Sequence, residues 1–228
     1  MPRSPKPECR LGREIDAILF DFGGVFTPSP FAAVESMGRE LGLGPGELFE
    51  IVFGSYHVDT DHPWHRLERG EISLAKARDE ILELGARRGV DADPFKLFAR
   101  MGGGDGTRQA LVDRTLALRG RGYRTALITN NAREFRPRWM ELVPTSEMFE
   151  VIVDSSEVGI RKPDPRIFEL TLERLSGIEP TRTLFLDDYQ ANLDAAARLG
   201  IRGVLVEEDP AAAVAALDDL IALRRPSR

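Results

Sequence analysis

Asp21 closes the apolar run AILF, Thr129 and Asn130 close YRTALI, and Asp187 with Asp188 closes TLFL, while Lys162 follows the run FEVIVD inside VGIRKPDPRIF. One lysine, one hydroxyl and several carboxylates can together bind a phosphate and a divalent cation. Carboxylate oxygens suit Mg²⁺, a hard ion that keeps several waters and also engages substrate phosphate. Lys162 and Thr129, with Asn130 beside it, would hold the remaining phosphoryl oxygens. Asp21 can attack phosphorus itself, because a carboxylate can form a covalent aspartyl phosphate that splits hydrolysis into two easier steps. Cation and lysine would offset the repulsion between that nucleophile and the phosphate. Each residue also has an ordinary explanation: an aspartate after a strand can be a turn or cap, TNN a turn, KPDP a helix entry, and DD a cap with a solvated neighbour. Their joint occurrence points to a site only if one edge of the fold gathers them.

The runs IDAILF, YRTALI, FEVIVD, RTLFLD and RGVLVE are short, continuous and rich in branched residues, as parallel strands covered on both faces should be. Helical spacing lies between the last four. In DPRIFELTLERLSG, Ile167, Leu170 and Leu175 give an apolar face and Gly177 a stop. Alternation of this kind predicts an α/β protein with a doubly wound, Rossmann-like and mostly parallel sheet, whose strand ends share one ligand edge. About a hundred residues separate the first two runs, far more than one crossover needs. That segment reads as an inserted helical bundle covering the ligand edge. Phe31, Val34, Met37 and Leu41 form one face and Pro45 opens a second helix. Ser73 caps a third, with Gly89 after its last turn, and Asp93 caps a fourth that buries Phe95, Phe98 and Met101. The expected organisation is a disordered leader over 1–13, an α/β core over 14–28 and 105–228, and a helical cap over 29–104, returning through MGGGDG as a glycine hinge.

The 228 residues carry a formal charge of −6, which argues against a nucleic-acid binder, because such proteins present a basic face to phosphates. Cys9 is the single cysteine, so no internal disulfide is available and a reducing, cytoplasmic setting is expected. No run is long enough for a membrane span or an ordinary signal peptide. No internal repeat is visible. The expected partner is a small phosphorylated metabolite.

The motifs FDFGGV, LITN, RKPDP and FLDDYQAN, spread from about Ile15 to Glu207, resemble those of the haloacid dehalogenase-like (HAD) hydrolase superfamily. LITNNAREF, VGIRKPDPRIFEL and FLDDYQANLDAAARLGI are similar to the phosphatase-like group that includes the N-terminal domain of soluble epoxide hydrolase and bacterial sugar-phosphate phosphatases. The resemblance implies Asp21 as nucleophile, Thr129 as phosphate-binding hydroxyl, Lys162 as charge-neutralising lysine, Asp187 as a magnesium ligand and Asp188 as its companion acid. Gly23 departs from the pattern. Most phosphatases of the family place there an aspartate that protonates the leaving oxygen and whose backbone carbonyl ligates magnesium. Gly23 keeps the carbonyl and lacks the acid, which biases the expected activity toward leaving groups of low basicity.

YHVDTDHPWHRLERGEIS holds all three histidines, His57, His62 and His65, among acidic neighbours. The segment reads as a solvated loop rather than a metal site, because a functional site needs fixed ligands with outer support. One of the histidines facing the site would be a substitute acid. Trp64 and Trp139 read as core or cap-surface residues rather than substrate stackers. The leading expectation is a magnesium-dependent phosphomonoesterase. A 2-haloacid dehalogenase-type hydrolase and a catalytically silent binding or regulatory protein are the alternatives.

Overall fold

The computed structural model describes residues 14–29, 31–100 and 106–222; the expected leader and most of the MGGGDG hinge lie outside these residues. All five apolar runs form strands: β1 (Ala17–Phe20), β2 (Arg124–Thr129), β3 (Val151–Asp154), β4 (Thr183–Asp187) and β5 (Arg202–Leu205). They make one sheet in the order β3-β2-β1-β4-β5, with every neighbouring pair parallel. Each residue of β1 is buried, so a continuous apolar run rather than a polar alternation is what the strand requires. Successive side chains still alternate in face. Ile18 and Phe20 enter one core cluster, with Leu111, Val112 and Leu217, while Ala17 and Leu19 enter the other, with Ile167, Phe168 and Leu193.

Five helices stand between β1 and the helix that leads into β2: α1 (Phe31–Glu40), α2 (Glu47–Phe53), α3 (Pro63–Glu68), α4 (Leu74–Ala86) and α5 (Pro94–Arg100). They close on a cluster of their own, with Val34, Leu48, Ile51, Leu67, Ile81 and Leu97 buried together. α6 (Gln109–Gly120) then returns to the sheet, α7 (Arg136–Met140) and α8 (Thr145–Met148) join β2 to β3, and the one-turn α9 (Ser155–Val158) follows β3. α10 (Pro165–Arg174), α11 (Gln190–Arg198) and α12 (Ala211–Ala222) complete the chain.

Several caps form as the sequence suggests. The Ser73 hydroxyl accepts from the Lys76 amide, Asp93 from the Phe95 amide and Asp164 from the Arg166 amide. Two expected core residues do not bury. Leu41 follows the end of α1 and stays 40% exposed, and Phe95 stays 42% exposed with the Arg78 guanidinium 4.6 Å from its ring centroid. A side chain past the last helical turn no longer follows the apolar stripe. Leu170 is only partly buried, because α10 turns Ile167, Phe168, Thr171 and Leu172 inward instead. Met101 lies outside the described residues.

Candidate active site

The strand order places β1 at the sheet's centre, with β2 and β3 laid down on one side of it and β4 and β5 on the other. A crevice opens at the carboxyl ends of such strands. Asp21 directly follows β1 and its amide donates to the Leu186 carbonyl of β4 at 2.8 Å. Thr129 ends β2 and Asp187 ends β4, both buried. Lys162 arrives from the loop between α9 and α10, and Asn130 fixes its backbone. The Lys162 amide donates to Asn130 Oδ1 at 2.8 Å and Asn130 Nδ2 donates to the Lys162 carbonyl at 3.0 Å. Lys162 Nζ then sits 2.7 Å from both Asp21 Oδ1 and Asp187 Oδ2. Both Asp187 oxygens are further engaged by the Tyr189 amide and the Asn192 side chain.

Asp21, Asp187 and Asp188 bring one carboxylate oxygen each within 4.8 Å of one another, the one such group of potential metal ligands among the described residues. Three carboxylates face one ammonium. Burial, opposed by Lys162 and reinforced by Asp187 and Asp188, pushes the Asp21 carboxyl up to about 8. Burial and then Asp187 push Asp188 up to about 6. Burial works against the charged Lys162, but Asp187 and Asp21 outweigh it and its pKa lies above the ordinary value. Burial is the first cause of both upward shifts and the crowding of carboxylates adds to it, and a bound cation would oppose both. Asp188 Oδ2 is buried with no hydrogen-bond partner, so an acceptor stands free where a hard cation would need one.

The Gly23 and Gly24 pair divides its work. Gly24 has φ +75°, and a Cβ there would lie 1.9 Å from Asp188 Oδ2, so only glycine lets that carboxylate pack against the loop. A Cβ at Gly23 would meet nothing within 4 Å. Gly23 borders a cavity of about 240 Å³ that also reaches Asp21, Thr129, Asn130, Lys162 and Asp188, so the sequence-predicted site residues other than Asp187 all line it. Asp187 lies behind them, holding Lys162.

None of the three histidines lines this cavity. The expected solvated loop is corrected in part. His65 is fully buried in α3, and His62 caps that helix by accepting from the Trp64 amide at 3.1 Å. His57 remains exposed and meets the Tyr189 hydroxyl at 3.2 Å. Trp139 is a core residue, 5.0 Å from Phe22 between ring centroids. Trp64 is buried and also borders the cavity.

Sequence reasoning missed the wall opposite Asp21. Phe31, Phe49, Phe53, Tyr56 and Trp64 come from the inserted helices and their connections. The signal was present as aromatic residues at 49, 53 and 56 on helical spacing. Arg161, beside Lys162, was missed too. It is fully buried, and its Nε donates to Glu68 Oε2 of α3 at 2.7 Å. No local pattern pairs residues so distant in the chain.

Fold and site together define an α/β protein with a cation-ready acidic centre at the carboxyl edge of its sheet. Residues 15–200 match the haloacid dehalogenase-like hydrolase model, and the chain belongs to that family. It is 33% identical over 218 residues to acyl-CoA dehydrogenase family member 10 of Mus musculus, covering 92% of this chain and 19% of that protein. Bifunctional epoxide hydrolase 2 of Mus musculus is 24% identical over 207 residues, covering 85% of this chain and 36% of that protein. This chain therefore spans well under half the length of either relative. A phosphatase of Mycobacterium tuberculosis is 28% identical over 206 residues, covering 85% of this chain and 88% of that one. Among solved structures, a HAD family enzyme from Bacteroides thetaiotaomicron in complex with magnesium and inorganic phosphate superimposes with a TM-score of 0.57 at 25% identity, over 86% of this chain and 98% of that one.

Proposed function

We propose that this chain is a magnesium-dependent phosphomonoester hydrolase that acts on a small phosphorylated substrate through an aspartyl phosphate on Asp21. The observation that carries the reading is the convergence of Asp21, Thr129, Lys162 and Asp188 on one cavity, with Lys162 Nζ 2.7 Å from Asp21 Oδ1. The phosphatase relative and the magnesium and phosphate held by the structural neighbour support it. Asp21, Asp187, Asp188 and the Gly23 carbonyl would hold Mg²⁺, with Asp188 offering the oxygen that has no other partner. When bound, the ion supplies charge neutralisation for the phosphoryl oxygens.

The chain's own residues divide the rest. Thr129 Oγ1 and Lys162 Nζ hold non-bridging oxygens, and Asn130 keeps Lys162 in place through the paired backbone hydrogen bonds. A carboxylate oxygen of Asp21 attacks phosphorus, the bond to the bridging oxygen breaks, and its electron pair leaves with that oxygen. Water then attacks phosphorus, the aspartyl bond breaks, and inorganic phosphate and the Asp21 carboxylate are regenerated. No side chain at Gly23 protonates the leaving oxygen. Glu68 borders the same cavity, but its oxygens are engaged within the wall, accepting from Arg161 Nε, Trp64 Nε1 and the Tyr56 hydroxyl. Leaving groups that depart without protonation are therefore favoured.

The helical segment over 29–104 acts in this reading as a cap that closes the cavity over the core. Phosphate release from acetyl phosphate and p-nitrophenyl phosphate, with magnesium and with EDTA, tests the proposal. Turnover is expected with magnesium and is expected to vanish with EDTA or with Asp21→Asn. Turnover that survives Asp21→Asn overturns it, and metal binding without hydrolysis of either compound would assign the chain to silent binding.

A further inference from the structure

The cavity wall that faces the phosphate-binding residues is aromatic and electrically closed. Phe31, Phe49, Phe53, Tyr56, Trp64 and Tyr189 border it. Their rings touch in sequence, with centroids 5.2 Å apart for Phe31 and Phe49, 5.2 Å for Phe49 and Phe53, 4.9 Å for Phe53 and Trp64, and 5.5 Å for Tyr56 and Tyr189. Three of these residues carry a polar tip, and each tip is already engaged. The Tyr56 hydroxyl and Trp64 Nε1 both donate to Glu68 Oε1, at 3.2 and 2.8 Å, and the Tyr189 hydroxyl meets His57 Nε2 at 3.2 Å. Glu68 is the one charged cavity-lining residue from the insert among the described residues, and Arg161 neutralises it. A substrate group lying against this wall meets ring faces and edges, while the polar side chains that also border the cavity, Thr27, Asn131 and Asn192, lie outside it.

A polyhydroxylated leaving group lying against the rings would lose its hydrogen bonds to water there and find none on the wall, which costs free energy for every group left unpaired. An aromatic ring would instead gain offset or edge contacts with the wall. Resting on the phosphatase reading above, we infer that the substrate is an aryl phosphate, its uncharged aromatic ring bonded directly to the bridging oxygen. Gly23 agrees independently. A phenol ionises near the tyrosine value of about 10, so its oxygen can depart as the aryloxide and take its proton from water afterwards. In this step the Asp21–phosphorus bond forms, the phosphorus–aryl oxygen bond breaks, and the electron pair stays on the aryl oxygen. The wall, which contacts the ring, and the missing acid, which leaves the bridging oxygen unprotonated, thus select the same leaving group.

The test compares kcat/KM with magnesium for phenyl phosphate, acetyl phosphate, glucose 1-phosphate and GMP. Acetyl phosphate has a weakly basic leaving group and no ring, so it isolates what the wall contributes. Phenyl phosphate is expected to have the lowest KM and the highest kcat/KM of the three esters. Phe31→Ala and Phe49→Ala, both at half-buried positions, are expected to raise KM for phenyl phosphate about three- to tenfold and to change KM for acetyl phosphate by a much smaller factor. A thermal melt of each variant verifies that it is folded, and Phe49→Leu, which keeps volume without the ring, covers a failure of the alanine form. Equal or better kcat/KM with glucose 1-phosphate or GMP overturns the aryl inference while the phosphatase reading stands. No phosphate release from any compound, acetyl phosphate included, overturns the phosphatase reading itself.

Discussion

At position 23 the backbone lies beside the cavity with nothing within 4 Å of a built Cβ, so an aspartate would enter without displacing a neighbour. Gly23→Asp is expected to raise kcat on an alkyl ester such as glycerol phosphate about 10²- to 10⁴-fold, the usual contribution of a positioned acid, with a much smaller gain on phenyl phosphate. Steady-state kinetics on the two esters measures this, and equal gains on both would show that proton transfer is not what glycine removed. The next residue answers to the opposite constraint. Gly24→Ala would place a methyl 1.9 Å from Asp188 Oδ2 at φ +75°, and the left-handed backbone alone costs an L residue about 1–2 kcal/mol. The expected result is a lower melting temperature and a weaker magnesium requirement curve, with activity recovering as magnesium is raised. Unchanged magnesium dependence would mean that Asp188 does not contribute to ion binding.

At the scale of elements, α3 is fastened to the loop carrying Lys162 by a buried ion pair. Arg161 is 0% and Glu68 2% exposed, and Arg161 Nε lies 2.7 Å from Glu68 Oε2. Removing one partner leaves the other charge buried and unpaired, which typically costs about 3–5 kcal/mol. Arg161→Met should lose stability of that order in urea unfolding, and adding Glu68→Leu should recover part of it. Additive losses would show that the pair is not coupled. The strands were legible because each is an apolar run between polar ends, and the carboxyl-edge rule placed Asp21, Thr129 and Asp187 from sequence alone. The pair from α3 to the Lys162 loop was not, since it joins residues 93 apart and depends on how the insert docks. The aromatic wall was half legible. Spacing announced an apolar helix face, but only docking shows that part of that face borders a cavity rather than a core.

Across the whole molecule, acid sensitivity is expected to arise in the same insert. His65 is fully buried, and burial, followed by the nearby Arg161, His62 and Arg69, lowers its pKa to about 3. Unfolding releases it to the ordinary value of about 6.5. The unfolded chain therefore binds the proton first, so stability is fully present above about pH 6.5 and is lost as pH falls from there toward 3. Asp188, raised to about 6, titrates in the same window in both proteins and works the other way, so the comparison is the readout: between pH 6.5 and 5 the melting temperature is expected to fall less in His65→Gln than in the parent protein, and identical slopes would remove His65 as the cause. Among the described residues no helix is long and apolar enough to cross a membrane.

The sheet brings distant residues to one edge and the insert walls them in, and in the proposed reaction the Asp21 carboxylate attacks phosphorus. Rapid quenching of the magnesium-loaded protein with phenyl phosphate, followed by peptide mass spectrometry, tests that claim most directly. A phosphoryl group is expected on the peptide containing Asp21 before free phosphate appears, and none in Asp21→Asn. Phosphate released at full rate with Asp21 unmodified throughout would contradict it.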